Sequence, residues 1–394
     1  MQKPELLAPA GNLEKLKIAY AHGADACYIG GTVFGLRKFA DNFSVSEIQA
    51  AIDHANTHNK KLYIVLNGFA HNEDIEALKP YLEIMENLQP HGFIISDMGV
   101  MQLAKRLTTI DLHTSTQASV TNVYGCELWK NAGAKRVILA REVSIADCKK
   151  IKEKLDIELE VFVHGAMCAS YSGKCVISNY TAGRDSNRGG CIQSCRHTYD
   201  ILDETTKTIE DTTHIMNAKD LMAVSLIPQL IESGIDSLKI EGRMKSNLYV
   251  ANAVSVYRQA IDYYMENTQD QTEKFETELK KVSNRTFSTG GLDHRPAVES
   301  IHYDFAGYTK GVDFIGTVKD THPEKGIILE IKSPFKKTDP LEFLCQNGTL
   351  LPIQLDTIWN MASEPIETVN QNTLIRIPAN KTIKPYDILR RQLS

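Results

Sequence analysis

Long apolar runs are missing from this chain: no stretch approaches the length of a membrane span, and the first residues carry no apolar core followed by a small-residue cleavage site. A cytoplasmic protein with no membrane partner is expected. A basic excess is missing too. With 44 Lys and Arg against 49 Asp and Glu, a net charge of -5 and a pI near 6.2, the surface as a whole does not attract nucleic acid, so any RNA partner needs a local basic patch. Neither a Gly-x-Ser-x-Gly elbow nor a His-Glu-x-x-His helix occurs, which removes two common routes to hydrolysis. The eight cysteines, in a reducing compartment, are expected to bind metal, to catalyse or to be buried, not to form disulfides. Cys27, Cys126, Cys148 and Cys345 stand singly in apolar surroundings and read as small buried side chains.

The other four cysteines fall in one segment: Cys168, Cys175, Cys191 and Cys195, with Gly165, Gly173, Gly189 and Gly190 beside them to let the backbone fold around a centre. Four thiolates so placed suit a four-sulfur zinc site or an iron-sulfur cluster. Zinc knuckles pair ligands about two to four residues apart. Here six residues separate the first pair and three the second, so the spacing favours iron-sulfur, with zinc as the alternative.

Short β-rich runs alternate with amphipathic stretches from the start, the pattern of parallel strands joined by crossover helices. Eight strands are expected at 5–8, 26–29, 61–66, 92–96, 111–116, 136–140, 159–163 and 237–240. Between them Asn12, Ser44 (with Glu47 three residues on), Asn72 and Ser144 read as helix caps, and Pro80 is expected to kink the third helix. The fold class is therefore α/β, a TIM-like (β/α)8 barrel over 1–270. A cysteine-bearing excursion occupies 164–218, a helical and turn-rich linker 271–307, and a small, mostly β domain 308–394. Within the excursion 199–202 and 206–209 read as a hairpin, and 220–232 follows as a helix; after the barrel, 248–264 and 266–281 read as helices and Ser283 opens a turn-rich link. In the terminal domain strands are expected at 314–318, 326–331, 341–344, 351–353 and 373–377.

Reactive groups of such barrels sit at the carboxyl ends of the strands, where Asn67, Asp97, His113, Gln117, Arg141, Glu142, His164, Glu241 and Arg243 fall. His164 is the leading acid/base candidate, and Glu241 is a second catalytic candidate.

Glu160-x-Phe162-x-His164-Gly165-Ala166-Met167-Cys168, followed by Ser172-Gly173-x-Cys175, resembles the signature of the collagenase-like peptidase family U32. Similar stretches are Glu5-Leu-Leu-Ala-Pro-Ala-Gly11, Ala24-Asp-Ala-Cys-Tyr-Ile-Gly30, Met216-Asn-Ala-Lys-Asp-Leu221 and Lys239-Ile-Glu-Gly-Arg-Met-Lys-Ser246. The resemblance implies an oxygen-independent hydroxylase with a 4Fe-4S cluster on Cys168, Cys175, Cys191 and Cys195, and Cys27 in reserve as a ligand. It further implies tRNA as partner, its wobble uridine as target, 5-hydroxyuridine as product and prephenate as oxygen donor, with a homologous partner protein as a further possibility. For such a dicarboxylate co-substrate Arg141 and Arg243 are the candidates, because guanidinium forks bind carboxylates in two places at once. For such an RNA, Arg184, Arg188 and Arg196, which flank the cysteines, suit phosphate, Tyr171 and Tyr180 suit a splayed base, and Lys149, Lys150, Lys152, Lys154, Lys336, Lys337, Arg390 and Arg391 form a candidate phosphate track. A peptidase, or a hydroxylase of another RNA or of a quinone precursor, is the alternative.

Overall fold

The computed structural model describes residues 2–32, 42–282, 284–303, 307–324 and 326–393. Eight parallel strands close on themselves: β1 Glu5–Pro9, β2 Ala26–Gly30, β3 Lys61–Leu66, β4 Gly92–Ile95, β5 Leu112–Thr114, β6 Arg136–Ile138 and β7 Glu158–Gly165 follow in order. After the hairpin β8 Tyr199–Leu202 and β9 Ile209–Thr213 and a short β10 Asp220–Met222, strand β11 Ser237–Ile240 completes the ring. Its closure is explicit in the register, Glu5↔Ser237 on one side and Lys239↔Phe162 on the other.

Between the strands lie α1 Leu13–Ala21, α2 Val45–Thr57, α3 Asn72–Leu88, α4 Met98–Leu107, α5 Val123–Ala132 and α6 Ile145–Lys154. Their starts are chemically marked. Asn12 accepts from the Lys15 N–H, Ser44 and Glu47 cap one another reciprocally, and Ser144 accepts from Asp147 N. In α3 the cap is His71, one residue earlier than expected, because the Asp74 carboxylate reaches back 2.7 Å to the His71 N–H. Pro80 lies inside that helix.

The excursion contains the short helix α7 Ile177–Ala182 and the β8–β9 hairpin, whose second strand runs Ile209–Thr213 rather than 206–209. The expected helix over 220–232 is corrected. Residues Asp220–Met222 instead pair antiparallel with the end of β7, Leu221↔Gly165 and Met222↔His164, and only Ile227–Glu232 forms the helix α8. The eight-residue β7 outruns its barrel neighbours and leaves ladder groups that must be paired. Leu221 and Met222 cover that edge with buried apolar side chains.

Helix α9 Asn247–Glu266 and helix α10 Thr272–Lys281 follow the barrel. Residue 283 lies outside the described residues. The terminal sheet is antiparallel, ordered Leu350–Ile353, Leu341–Leu344, Ile388–Gln392, Val312–His322, Gly326–Ile331, Leu374–Ile377 and Trp359–Asn360. It is clasped to the barrel by Lys319 on Glu14 at 2.7 Å, Arg390 on Glu278 at 2.5 Å and His22 Nε2 donating to the Tyr386 oxygen at 3.1 Å. Arg390 is wholly buried and also meets Glu342 at 2.8 Å, so it cannot belong to a phosphate track. Arg391 is held by Asp313 and Asp339. Among the described residues no helix is long and apolar enough to cross a membrane.

Candidate active site

Barrels of this class usually fill their interior with branched apolar side chains, but this one threads charge through it. Arg136 meets Glu5 at 2.5 Å and Glu160 at 3.2 Å, and Lys239 meets the other Glu160 oxygen at 3.0 Å. Tyr63 donates to Glu5 at 2.8 Å. Burial alone would raise the Glu5 carboxyl, yet Arg136 and Lys61 hold it below its ordinary range. The Lys239 ammonium is depressed by burial and supported by Glu160. It stands 4.5 Å from the Tyr28 ring and 5.4 Å from the Phe162 ring, directly under the mouth. Sequence reasoning missed this chain of charges. Its signal was present in the inward-facing Glu160 and Lys239 of two otherwise apolar strands.

Above Phe162 lies the Arg141 guanidinium, 4.2 Å from the ring, with Nη1 3.9 Å from the Cys168 sulfur and a buried Nε that has no partner among the described residues. Arg243 is 5 % exposed and packs over Gly30, where a Cβ would collide with its guanidinium. Tyr28 donates to Glu241 at 3.2 Å, so Glu241 stands at the same rim.

The cysteine segment lies across this rim. Ser172 donates through N to Glu142 at 3.0 Å and accepts the Arg141 N–H at 3.1 Å, which ties the segment to the end of β6. Gly173, at φ +73°, is pressed so close to the Gln117 carbonyl that no side chain fits. On the far side Arg188 grips Asp74 at 2.5 Å and the Phe69 oxygen at 2.8 Å. Arg196 is equally committed, donating to Asn217 at 2.8 Å, to Met167 at 2.5 Å and to the Ala218 oxygen. These two arginines fasten the segment. Arg184 is half-buried, whereas Tyr171 and Tyr180 are 64 % and 87 % exposed.

All eight thiols are free. Burial pushes the Cys195 thiol up, Arg196 opposes that, and Cys168, Cys191 and Cys175 add to the rise, so each of those three sulfurs lies within electrostatic reach of Cys195. Among the described residues no three Cys, His, Asp or Glu side chains are already gathered around a single ion position. What fits a four-iron centre is the donor set itself: four thiols on one segment, with Arg141 and Arg196 beside them to offset thiolate charge. Cys27 is a correction. Its neighbour Tyr28 faces the barrel interior, so the alternation of the strand turns Cys27 outward, fully buried against Tyr20 on α1.

His164 is 1 % exposed and boxed by Tyr249, Tyr257 and Phe287, whose ring centroids lie 5.7, 5.4 and 5.6 Å away. Burial drives its imidazole down to about 4, with Asp220 opposing and Lys245 assisting; burial also brings His22 to about 4. The unfolded chain therefore takes up protons near pH 6.5 that the folded one refuses until about pH 4. Stability should be complete above pH 6.5 and fall through that window by at most about 3 kcal/mol per histidine. Urea midpoints at pH 7.5 and 5 should drop less for His164→Gln than for the wild type, and equal drops would refute a neutral buried imidazole.

Other strand-end candidates have internal partners. Asp97 caps α4 through Val100 N at 2.9 Å, and His113 packs edge-on to Tyr63, 4.7 Å between centroids.

The family model for peptidase family U32 matches residues 11–302, and that for the U32 C-terminal domain matches 310–390. The chain belongs to peptidase family U32. Relatives of this U32 protein include "tRNA hydroxylation protein P1" of Bacillus subtilis, 41 % identical over 99 % of this chain and 95 % of that one. "tRNA hydroxylation protein P" of Helicobacter pylori is 41 % identical over 75 % and 73 %. A third, the "23S rRNA 5-hydroxycytidine C2501 synthase" of Escherichia coli, is 33 % identical over 74 % of this chain and 45 % of its own length.

Proposed function

We propose that this U32 protein is a tRNA-modifying enzyme that replaces the C5 hydrogen of the wobble uridine by hydroxyl without dioxygen. The observation that carries the reading is the quartet Cys168, Cys175, Cys191 and Cys195 stretched over the polar mouth of the barrel next to Arg141. The tRNA and the hydroxylation come from the near-full-length Bacillus subtilis relative, and the two relatives matched over about three quarters of this chain agree with RNA hydroxylation.

Such a replacement oxidises the base by two electrons, so the oxygen donor must also accept them. An exchange of the C5 hydrogen for a carbon-bound hydroxyl of the donor balances this: the donor C–O bond breaks as the base gains C5–O, and the hydrogen with its electron pair ends on the donor carbon, and prephenate, a dicarboxylate carrying one ring hydroxyl, can serve as that donor. Arg141 would bind one of its carboxylates, since its Nε is buried without a partner among the described residues, and Arg243 stands across the same rim for the other. A 4Fe-4S cluster on the four cysteines, when bound, would supply electron transfer or polarise a hydroxyl. Glu241, positioned by Tyr28, is the accessible proton acceptor at the rim, while His164, boxed by aromatic rings, stays neutral and orients the end of β7. Tyr171 and Tyr180 offer exposed rings on which an unpaired base stacks.

Mass spectrometry of nucleosides from tRNA tests this in cells with and without the gene. Loss of 5-hydroxyuridine derivatives, restored by the wild-type chain, is expected. Unchanged nucleosides together with hydrolysis of a collagen-like peptide would replace the reading with a peptidase.

A further inference from the structure

The mouth of the barrel has two chemically different sides. Arg141, Glu241 and Arg243 make one side charged. The other, at the ends of β3, β4 and β5, is neutral and is built from Asn67, Ser96 and Ser115. Strand alternation places these three in one inward-facing layer. Tyr63 and His113 meet inside the barrel, and a Cβ on Gly92 would touch both, so positions reached in steps of two from each, 67, 115 and 96, face inward as well.

Asn67 Nδ2 donates to Ser115 Oγ at 3.3 Å, Ser115 Oγ also accepts the Gln117 N–H at 3.3 Å, and Ser96 Oγ donates to the Asn67 main-chain oxygen at 2.9 Å. The amide is thereby oriented with its nitrogen engaged. Its Oδ1 is buried and has no partner among the described residues. An acceptor shielded from water in this way favours a ligand that brings an N–H.

The pyrimidine bases differ at that atom. Uracil presents an N3–H between two carbonyls, whereas cytosine presents a lone pair at N3, which would face the Asn67 oxygen lone pair. We propose that Asn67, positioned by Ser115 and Ser96, reads N3–H of the target base and makes this mouth selective for uracil over cytosine. The proposal rests on the hydroxylase reading. A site that hydrogen-bonds its substrate discriminates strongly against an analogue that leaves the polar group unpaired.

The test uses anaerobically purified full-length protein with prephenate and matched anticodon stem-loop RNAs carrying uridine or cytidine at the target position, with products read by nucleoside mass spectrometry. Asn67→Ala should lower the uridine-over-cytidine ratio of kcat/KM by at least about 10-fold, while iron content and stem-loop affinity stay at wild-type levels. Asn67→Asp, which keeps an acceptor oxygen, should retain more of the preference than Asn67→Ala, and Ser115→Ala should fall between. A folded Asn67→Ala with an unchanged ratio overturns the proposal; if that variant does not fold, an unchanged ratio in Ser115→Ala overturns it. A wild type that modifies neither RNA overturns the hydroxylase reading itself, and the proposal with it.

Discussion

Cys168→Ser should leave the purified protein depleted of iron and sulfide and lower uridine hydroxylation by at least about 100-fold, about 2.7 kcal/mol of barrier. Cys168 is exposed, so its substitution opens no cavity in the core, and with the metal removed from both, variant and wild type should unfold at the same temperature. That separation of effects is the useful part. A thiol serving only as packing would change stability and spare the metal, while a ligand changes metal and activity and spares the fold. Cys191 is also exposed and should behave alike. Cys27→Ser is the control: buried against α1, it should cost stability and leave iron untouched. Full iron and sulfide content in both Cys168→Ser and Cys191→Ser would remove these thiols from the ligand set, and a wild type without iron or sulfide would remove the cluster from the account. Stoichiometric zinc in place of iron would make the site structural.

Much of this architecture was legible because β-rich runs and capped helices alternate without interruption. Lys61–Leu66 and Ser237–Ile240 fall where the apolar pattern puts them, and the caps at Asn12, Ser44 and Ser144 bond as their side chains dictate. Elements that depend on partners distant in sequence were not legible. Asp220–Met222 carries a helix-like apolar spacing, yet the unpaired edge of β7 draws it into a sheet. Ile388–Gln392, a central strand of the terminal sheet, was hidden by Arg390 and Arg391, which read as part of a phosphate track until Glu278, Glu342, Asp313 and Asp339 are found around them. The same limit applies at the mouth. Chemical type picked out Arg188 and Arg196 as phosphate binders, but their donors are turned inward to hold the cysteine segment. Asn67, lacking charge, drew no particular weight.

Replacing Glu160 should be the most damaging single change to the fold. Its carboxylate is fully buried between Arg136 and Lys239, at 3.2 and 3.0 Å, and it is the only anion the structure records within salt-bridge distance of Lys239 among the described residues. Glu160→Ala therefore leaves a cation uncompensated inside the barrel, at a cost of about 3–5 kcal/mol. For a domain of this size that lowers Tm by roughly 10 °C. Arg136 suffers less, because Glu5 and Glu158 remain at 2.5 and 2.8 Å. Lys239→Met alone strands Glu160 less severely, since Arg136 still pairs with it. If the charge is what matters, Glu160→Gln with Lys239→Met should be more stable than the sum of the single losses allows, by about 1–3 kcal/mol in the double-mutant cycle. Additive losses would mean that the two side chains act independently and that packing volume, not the ion pair, holds this part of the barrel. The double variant also separates fold from function: with stability recovered, any remaining loss of the proposed hydroxylation measures what the Lys239 ammonium contributes beneath the mouth of the barrel.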